Sequence, residues 1–104
     1  MMRSDADVVF RDIDHSPALT HTINQKMAKL SRFSSGILRS RVVLDIPHNR
    51  KHKGKQFRAS IELHLKGSPI AVSYDGESAH VAVRDAFLAA ERKLKETREI
   101  RQKR

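Results

Sequence analysis

Residues 57–66 alternate without a break. Phe57, Ala59, Ile61, Leu63 and Leu65 are apolar, and Arg58, Ser60, Glu62, His64 and Lys66 are polar. A period of two held over this length marks a strand, because a helix would scatter the same side chains around its axis. Such a strand has one face for a core and one for water, so the sheet needs cover on one side only. The rest of the chain must supply that cover.

Two segments have the required helical period. Ser16-Pro17 is a helix opening, with Ser as N-cap and Pro at the first helical position. Leu19, Ile23, Met27, Leu30 and Phe33 then recur on one stripe, which predicts a helix over 17–33 closed by Ser34-Ser35-Gly36. Near the other end, Asp75-Gly76-Glu77-Ser78 offers a second N-cap. Ala79, Val83, Ala86, Phe87, Ala90 and Leu94 follow as an apolar stripe, which predicts a helix to about 97 with a basic tail over 98–104. Three more strands complete the set. Residues 7–13 place Val8 and Phe10 opposite Val9 and Arg11. Residues 40–46 place Val42, Leu44 and Ile46 opposite Arg41, Val43 and Asp45. Ile70, Val72 and Tyr74 form the last strand, joined to 57–66 by the turn Lys66-Gly67-Ser68-Pro69, so those two strands should make an antiparallel hairpin.

The order β-α-β-β-β-α predicts an α+β two-layer sandwich, a four-stranded sheet with both helices on one face. The first crossover should be right-handed if strands one and two lie parallel. The 104 residues suit one domain, with an ordered core over about 7–97. There is no cysteine, hence neither a disulfide framework nor a thiol nucleophile. No apolar stretch approaches the length that crosses a membrane, and the first residues lack the apolar region of a signal peptide. A cytoplasmic protein is expected.

Charge then narrows the function. Lys and Arg number 21 against 12 Asp and Glu, a formal net charge of +9. An excess of this size works against compaction through self-repulsion, and a polyanion relieves it. Arg50, Lys51, Lys53 and Lys55 crowd the loop before the 57–66 strand with no acid among them. The first helix adds Lys26, Lys29 and Arg32, also without an acid. Lys29 falls about a quarter turn from the centre of the apolar stripe and Arg32 nearly opposite it. The second helix carries Arg84, Arg92, Lys93 and Lys95 interleaved with Asp85, Glu91 and Glu96, and a mixed helix of this kind is often only a solvated face. Glu91 and Lys95 have the favourable i, i+4 spacing. All five Phe and Tyr residues fall on predicted core faces. Base stacking on the sheet is therefore not expected; recognition should be of phosphates and RNA shape.

The patterns that resemble catalytic sites are weak. His48 and His52 have zinc-like spacing, but they flank Asn49-Arg50-Lys51 in a loop with no third ligand in sight. Asp14, His15 and Ser16 are adjacent in sequence, which is not the geometry of a catalytic triad, and Ser16 already caps a helix. Gly67 and Gly76 are isolated turn glycines. No catalytic residue, metal site or cofactor is expected, and the protein should not be an enzyme.

The order of elements resembles the ribosome hibernation-promoting factors, a family that includes the ribosome-associated inhibitor A proteins. The likeness rests on Lys26-Met27-Ala28-Lys29-Leu30-Ser31-Arg32-Phe33 closing the first helix and on Asp75-Gly76-Glu77-Ser78 leading into a second basic helix. It spans about residues 8–95. It implies a fold similar to a double-stranded RNA-binding domain. It also implies binding to the ribosomal RNA of the small ribosomal subunit, in the cleft that messenger and transfer RNA use, so that idle ribosomes do not translate. By motif position it assigns RNA contacts to Lys26, Lys29 and Arg32 and to Arg92, Lys93 and Lys95. The sequence departs from the family pattern at Ser78 and His80, where an acid and a tyrosine are usual, and at Arg84, which replaces a common acid. Long family members add a dimerising domain; the expectation here is a short form that does not self-dimerise. Two other classes fit the charge alone. One is a general double-stranded RNA-binding module acting away from the ribosome, and the other is a module for an acidic protein partner.

Overall fold

The computed structural model describes residues 6–33, 36–47, 57–67 and 69–102. Their elements run β1 (Asp7–Phe10), α1 (Pro17–Phe33), β2 (Ile37–Asp45), β3 (Phe57–Leu65), β4 (Ile70–Gly76) and α2 (Ala79–Gln102). The strands form one sheet in the order β1-β2-β3-β4. β1 pairs with β2 in parallel, and the other two pairings are antiparallel. The α+β architecture expected from the alternation is the one observed.

Both helices open as the cap residues dictate. Ser16 Oγ accepts the Leu19 N–H at 3.2 Å, and Ser78 Oγ accepts the Val81 N–H at 3.2 Å. In each case a serine hydroxyl satisfies a backbone donor that has no partner within the helix. α1 keeps its expected limits. α2 continues to Gln102, past the expected end near 97, because the Ala-, Glu-, Lys- and Arg-rich segment contains no breaker. β1 is shorter than expected. It stops at Phe10 because Asp12 takes a φ of 58°, which an Asp tolerates and a strand does not. Arg11 still donates its N–H to the Leu44 carbonyl at 2.8 Å.

β2 starts earlier than its alternation suggests. Ile37 stands opposite Leu65 and Arg39 opposite His64, which leaves Leu38 as an extra residue in a β-bulge. Counting back in twos from Leu44 and Val42 would send Leu38 into the core. The bulge resets the count, so Ile37 packs on the core and Leu38 is 72% exposed.

The core lies between the sheet and the helices. Val42, Leu44, Ala59, Ile61 and Leu63 are fully buried beneath Ile23 and Met27 of α1 and Val83, Ala86 and Ala90 of α2. No described polar or charged residue is buried. The two helices approach the sheet differently. α2 packs into the core with Ala82, Ala86 and Ala90 beside Val83, Phe87 and Leu94, and the three alanines let its backbone come within 8 Å of β3 and β4, measured between Cα atoms. α1 faces it with Leu19, Ile23, Met27 and Leu30, which hold it farther off. The helices therefore meet at only a few points and leave a groove between them.

Gly76 makes the close approach of α2 to β4 feasible. A Cβ at that position would lie 2.8 Å from the Ala82 nitrogen and 3.0 Å from Val81 Cγ1. Two apolar residues depart from their expected burial. Tyr74 lies opposite buried Ala59 on the covered face, yet β4 is the sheet edge and the ring is 41% exposed. Ile46 falls just beyond the last residue of β2 and is also partly exposed.

Candidate nucleic-acid interface

The two faces of the molecule handle their charge in opposite ways. Register places Arg39, Arg41, Glu62 and His64 on the open face of the sheet, with Asp45, Arg58 and Asp75 at its other end. Most of these groups are paired. Arg58 donates from Nε to Asp75 Oδ1 at 2.8 Å and from Nη2 to Oδ2 at 3.5 Å. The hydrogen bond to Asp75 holds the Arg58 guanidinium above its ordinary pKa; burial opposes this, and Coulombic attraction to Asp75 and Asp45 adds to it. Arg41 Nε lies 4.0 Å from Asp7 Oδ2, and His64 Nε2 lies 3.9 Å from Glu62 Oε1. Ser60 and Ser73 share a hydrogen bond of 3.1 Å on the same face. This surface is close to neutral and holds no stacking aromatic, so a polyanion has little to grip there.

The helical face differs. Lys26, Lys29 and Leu30 of α1 form one wall of the groove, and Arg84, Leu88 and Glu91 of α2 form the other, over a floor that includes Phe87. The periodicity of each helix accounts for the grouping. Lys26, Lys29 and Leu30 are spaced i, i+3, i+4, and Arg84, Leu88 and Glu91 are spaced i, i+4, i+7, so each set lines one flank. The opposite flank of α1 is used for structure: Asn24 Oδ1 accepts the Ala6 N–H beside β1 at 3.1 Å. Lys29 and Arg84 are exposed and Lys26 is half-buried, as expected for a lysine whose stem lies along apolar surface.

The acids close to these cations leave them accessible. α1 has no carboxylate at all. Arg84 Nε lies 3.2 Å from Asp85 Oδ1, and Lys95 Nζ lies 3.7 Å from Glu91 Oε2, the i, i+4 pair expected from sequence. In both pairs the cation is more than half exposed, where such contacts are weak and an anion can compete for it.

The structure gathers only some of the residues singled out from sequence. Lys26, Lys29 and Arg84 converge on the groove, and Lys95 is one turn beyond Glu91 on the same flank of α2. Arg92 is exposed and stands one turn after Leu88, farther out on the same flank of α2, and Arg32 is exposed on the outer side of α1 three residues after Lys29. Lys93 is nine residues after Arg84, about half a turn away, and so lies on the flank remote from α1. Arg50, Lys51, Lys53 and Lys55, with His48 and His52, lie outside the described residues. The connection that carries them leaves the sheet at the Phe57–Gly76 end, where α2 begins.

Leu88 is the groove residue that the sequence pattern passed over. It belongs neither to the apolar stripe nor to the charged set, and it is 55% exposed. The signal was present: an off-stripe leucine one turn from an off-stripe arginine on an otherwise polar flank.

Comparison with known proteins decides the family. The family model described as sigma 54 modulation protein / S30EA ribosomal protein matches residues 6–102. The chain belongs to this family. It is the ribosome hibernation family that the helix-closing and strand-to-helix segments resemble, and its members are ribosome-associated proteins rather than an enzyme class. Among solved structures, the Protein Y N-terminal domain of Thermus thermophilus is similar at 25% identity and a TM-score of 0.72, over 88% of this chain and 94% of that one. A ribosomal subunit interface protein from Coxiella burnetii is similar at 18% identity and a TM-score of 0.77, over 90% of this chain and 97% of that one, a likeness of fold alone. No curated protein matches the sequence. No helix among the described residues is long and apolar enough to cross a membrane.

Proposed function

We propose that this ribosome-associated protein binds the ribosomal RNA of the small subunit near the messenger and transfer RNA sites and blocks translation in idle ribosomes. The mechanism is steric: a folded domain occupies space that the translation substrates need. No cofactor or catalytic step enters it. The protein works in the cytoplasm and is monomeric off the ribosome.

One observation carries the proposal. Lys26, Lys29 and Arg84, from two helices, converge on one groove beside an α1 that has no carboxylate, while on the opposite face Arg58 is held by Asp75 at 2.8 Å. Arg32, Arg92 and Lys95 widen the basic helical surface, and Lys93 extends it around α2. Arg50, Lys51, Lys53 and Lys55 supply further phosphate contacts. If about six phosphates are engaged in all, affinity falls roughly a thousandfold between 50 and 200 mM salt.

The test is co-sedimentation with purified small subunits, paired with an in vitro translation assay. Reversing the charge of Lys26, Lys29 and Arg84 together should abolish both binding and inhibition while the circular dichroism spectrum is retained. Undiminished co-sedimentation of that variant would remove the proposal. Adding excess duplex RNA separates ribosome binding from general duplex binding: retention on the subunit supports the first.

A further inference from the structure

The groove is not a plain phosphate track. Its walls carry Lys26, Lys29 and Arg84, but its floor and lip are Leu30, Phe87 and Leu88. Leu88 exposes over half of its surface between those cations. A phosphate gains nothing from an exposed leucine. Within RNA, the large uncharged surfaces are the faces of the bases and part of the ribose, and a base face is available only where stacking is broken. The groove is open to solvent, and the space of about 360 Å³ along it includes that solvent, so a single base can rest against Leu88 without being enclosed.

Glu91 at the edge of the groove adds selectivity. An ionised carboxylate only accepts hydrogen bonds, and its two oxygens offer more acceptor sites than the Lys95 ammonium at 3.7 Å can fill. The exocyclic amino group of cytosine donates to a carboxylate. Adenine and guanine carry such a group as well. Uracil does not; its one edge donor is the N3–H, flanked on both sides by carbonyl oxygens that repel the carboxylate.

We infer that the groove between α1 and α2 holds one unstacked nucleotide of the bound RNA. The base lies against Leu88 over Leu30 and Phe87, its flanking phosphates meet Lys26, Lys29 and Arg84, and Glu91 favours a base bearing an amino group over uracil. The inference rests on the RNA-binding function proposed above and makes α2 a reader of local RNA structure as well as a source of charge.

The test uses the full chain and three RNA hairpins that differ only in the middle of the stem: fully paired, with one bulged cytidine, or with one bulged uridine. Affinities come from fluorescence anisotropy at fixed salt. The cytidine bulge should bind about tenfold tighter than the paired stem and at least about fivefold tighter than the uridine bulge, the range of one good side-chain-to-base contact. Leu88→Ala should remove most of the advantage of either bulge. Glu91→Gln should bring cytidine and uridine within about twofold of each other, since an amide serves both donor and acceptor edges. Both positions are surface ones, and circular dichroism confirms that the variants fold. Equal affinity for paired and bulged stems overturns the inference, as does a Leu88→Ala variant that weakens all three RNAs by one factor. Co-sedimentation with small subunits is measured in parallel. Retained co-sedimentation with no bulge preference removes only the nucleotide pocket, whereas its loss removes the ribosomal function itself.

Discussion

Removing Lys26 and Lys29 should change the salt dependence of small-subunit binding by a predictable amount, and removing two arginines from the other face should not. Each phosphate contact contributes about 0.9 to the slope of log affinity against log salt. Two lost contacts therefore make the slope shallower by about 1.8. Raising salt fourfold, from 50 to 200 mM, should cost the wild type about twelvefold more affinity than the Lys26→Gln, Lys29→Gln variant, from the same relation. The matched control is Arg39→Gln with Arg41→Gln. Both variants lower the formal charge from +9 by the same two units. The arginines lie on the open face opposite His64 and Glu62, and Arg41 already has Asp7 within 4.0 Å. Only position differs between the variants. A salt titration of binding to fluorescently labelled small subunits gives both slopes. Equal slopes for the two variants would mean that net charge alone drives binding, and the groove would lose its role; a wild-type slope in the lysine variant would refute the placement of phosphates there.

Four further outcomes follow from the same structure. Gly76→Ala should destabilise the fold by about 1–3 kcal/mol, because the new methyl group meets Ala82 backbone at 2.8 Å; thermal unfolding should show a drop of several degrees. Gly67→Ala meets nothing within 4 Å, so any cost comes from its φ of 91° alone and should be smaller, about 1–2 kcal/mol. Ser78→Ala removes the hydroxyl that accepts the Val81 N–H and should cost about 1 kcal/mol by chemical denaturation, with α2 content falling first at its N-terminal turn in hydrogen exchange. Arg58 has its pKa raised by Asp75, so its contribution is complete below the ordinary arginine value and is lost only as pH rises through the higher folded value; the melting temperature should show no Arg58-linked change between pH 5 and 9, and Arg58→Gln should cost under about 1 kcal/mol because the pair is partly exposed.

The strands and helices were legible because each buries one face, and a buried face writes its period into the sequence. Phe57 to Leu65 alternated and became β3; Leu19, Ile23, Met27 and Leu30 recurred by three and four and became the inner stripe of α1. Ser16 and Ser78 announced the helix starts because a helix end needs an acceptor and a serine hydroxyl provides one. Leu38 was not legible. Its exposure follows from a bulge in the pairing of β2 with β3, and pairing register is a relation between two segments that neither contains alone. Tyr74 failed for a similar reason: alternation gives the face but not the distance from the sheet edge.

The candidate site divides along the same line. The amino-acid order by itself determined that positive charge is in excess, that α1 carries cations without acids, and that two amphipathic helices cover one face of a four-stranded sheet, since these depend only on composition and on spacing along the chain. Tertiary structure alone decided which cations lie together. It set Lys26 and Lys29 across from Arg84, put Lys93 on the far flank of α2, matched Arg58 with Asp75 across two strands, and left Leu88 at the lip of a groove. The groove exists because alanines draw α2 down onto the sheet while larger side chains hold α1 away, a difference of a few methylene groups that acts only when both helices share one surface.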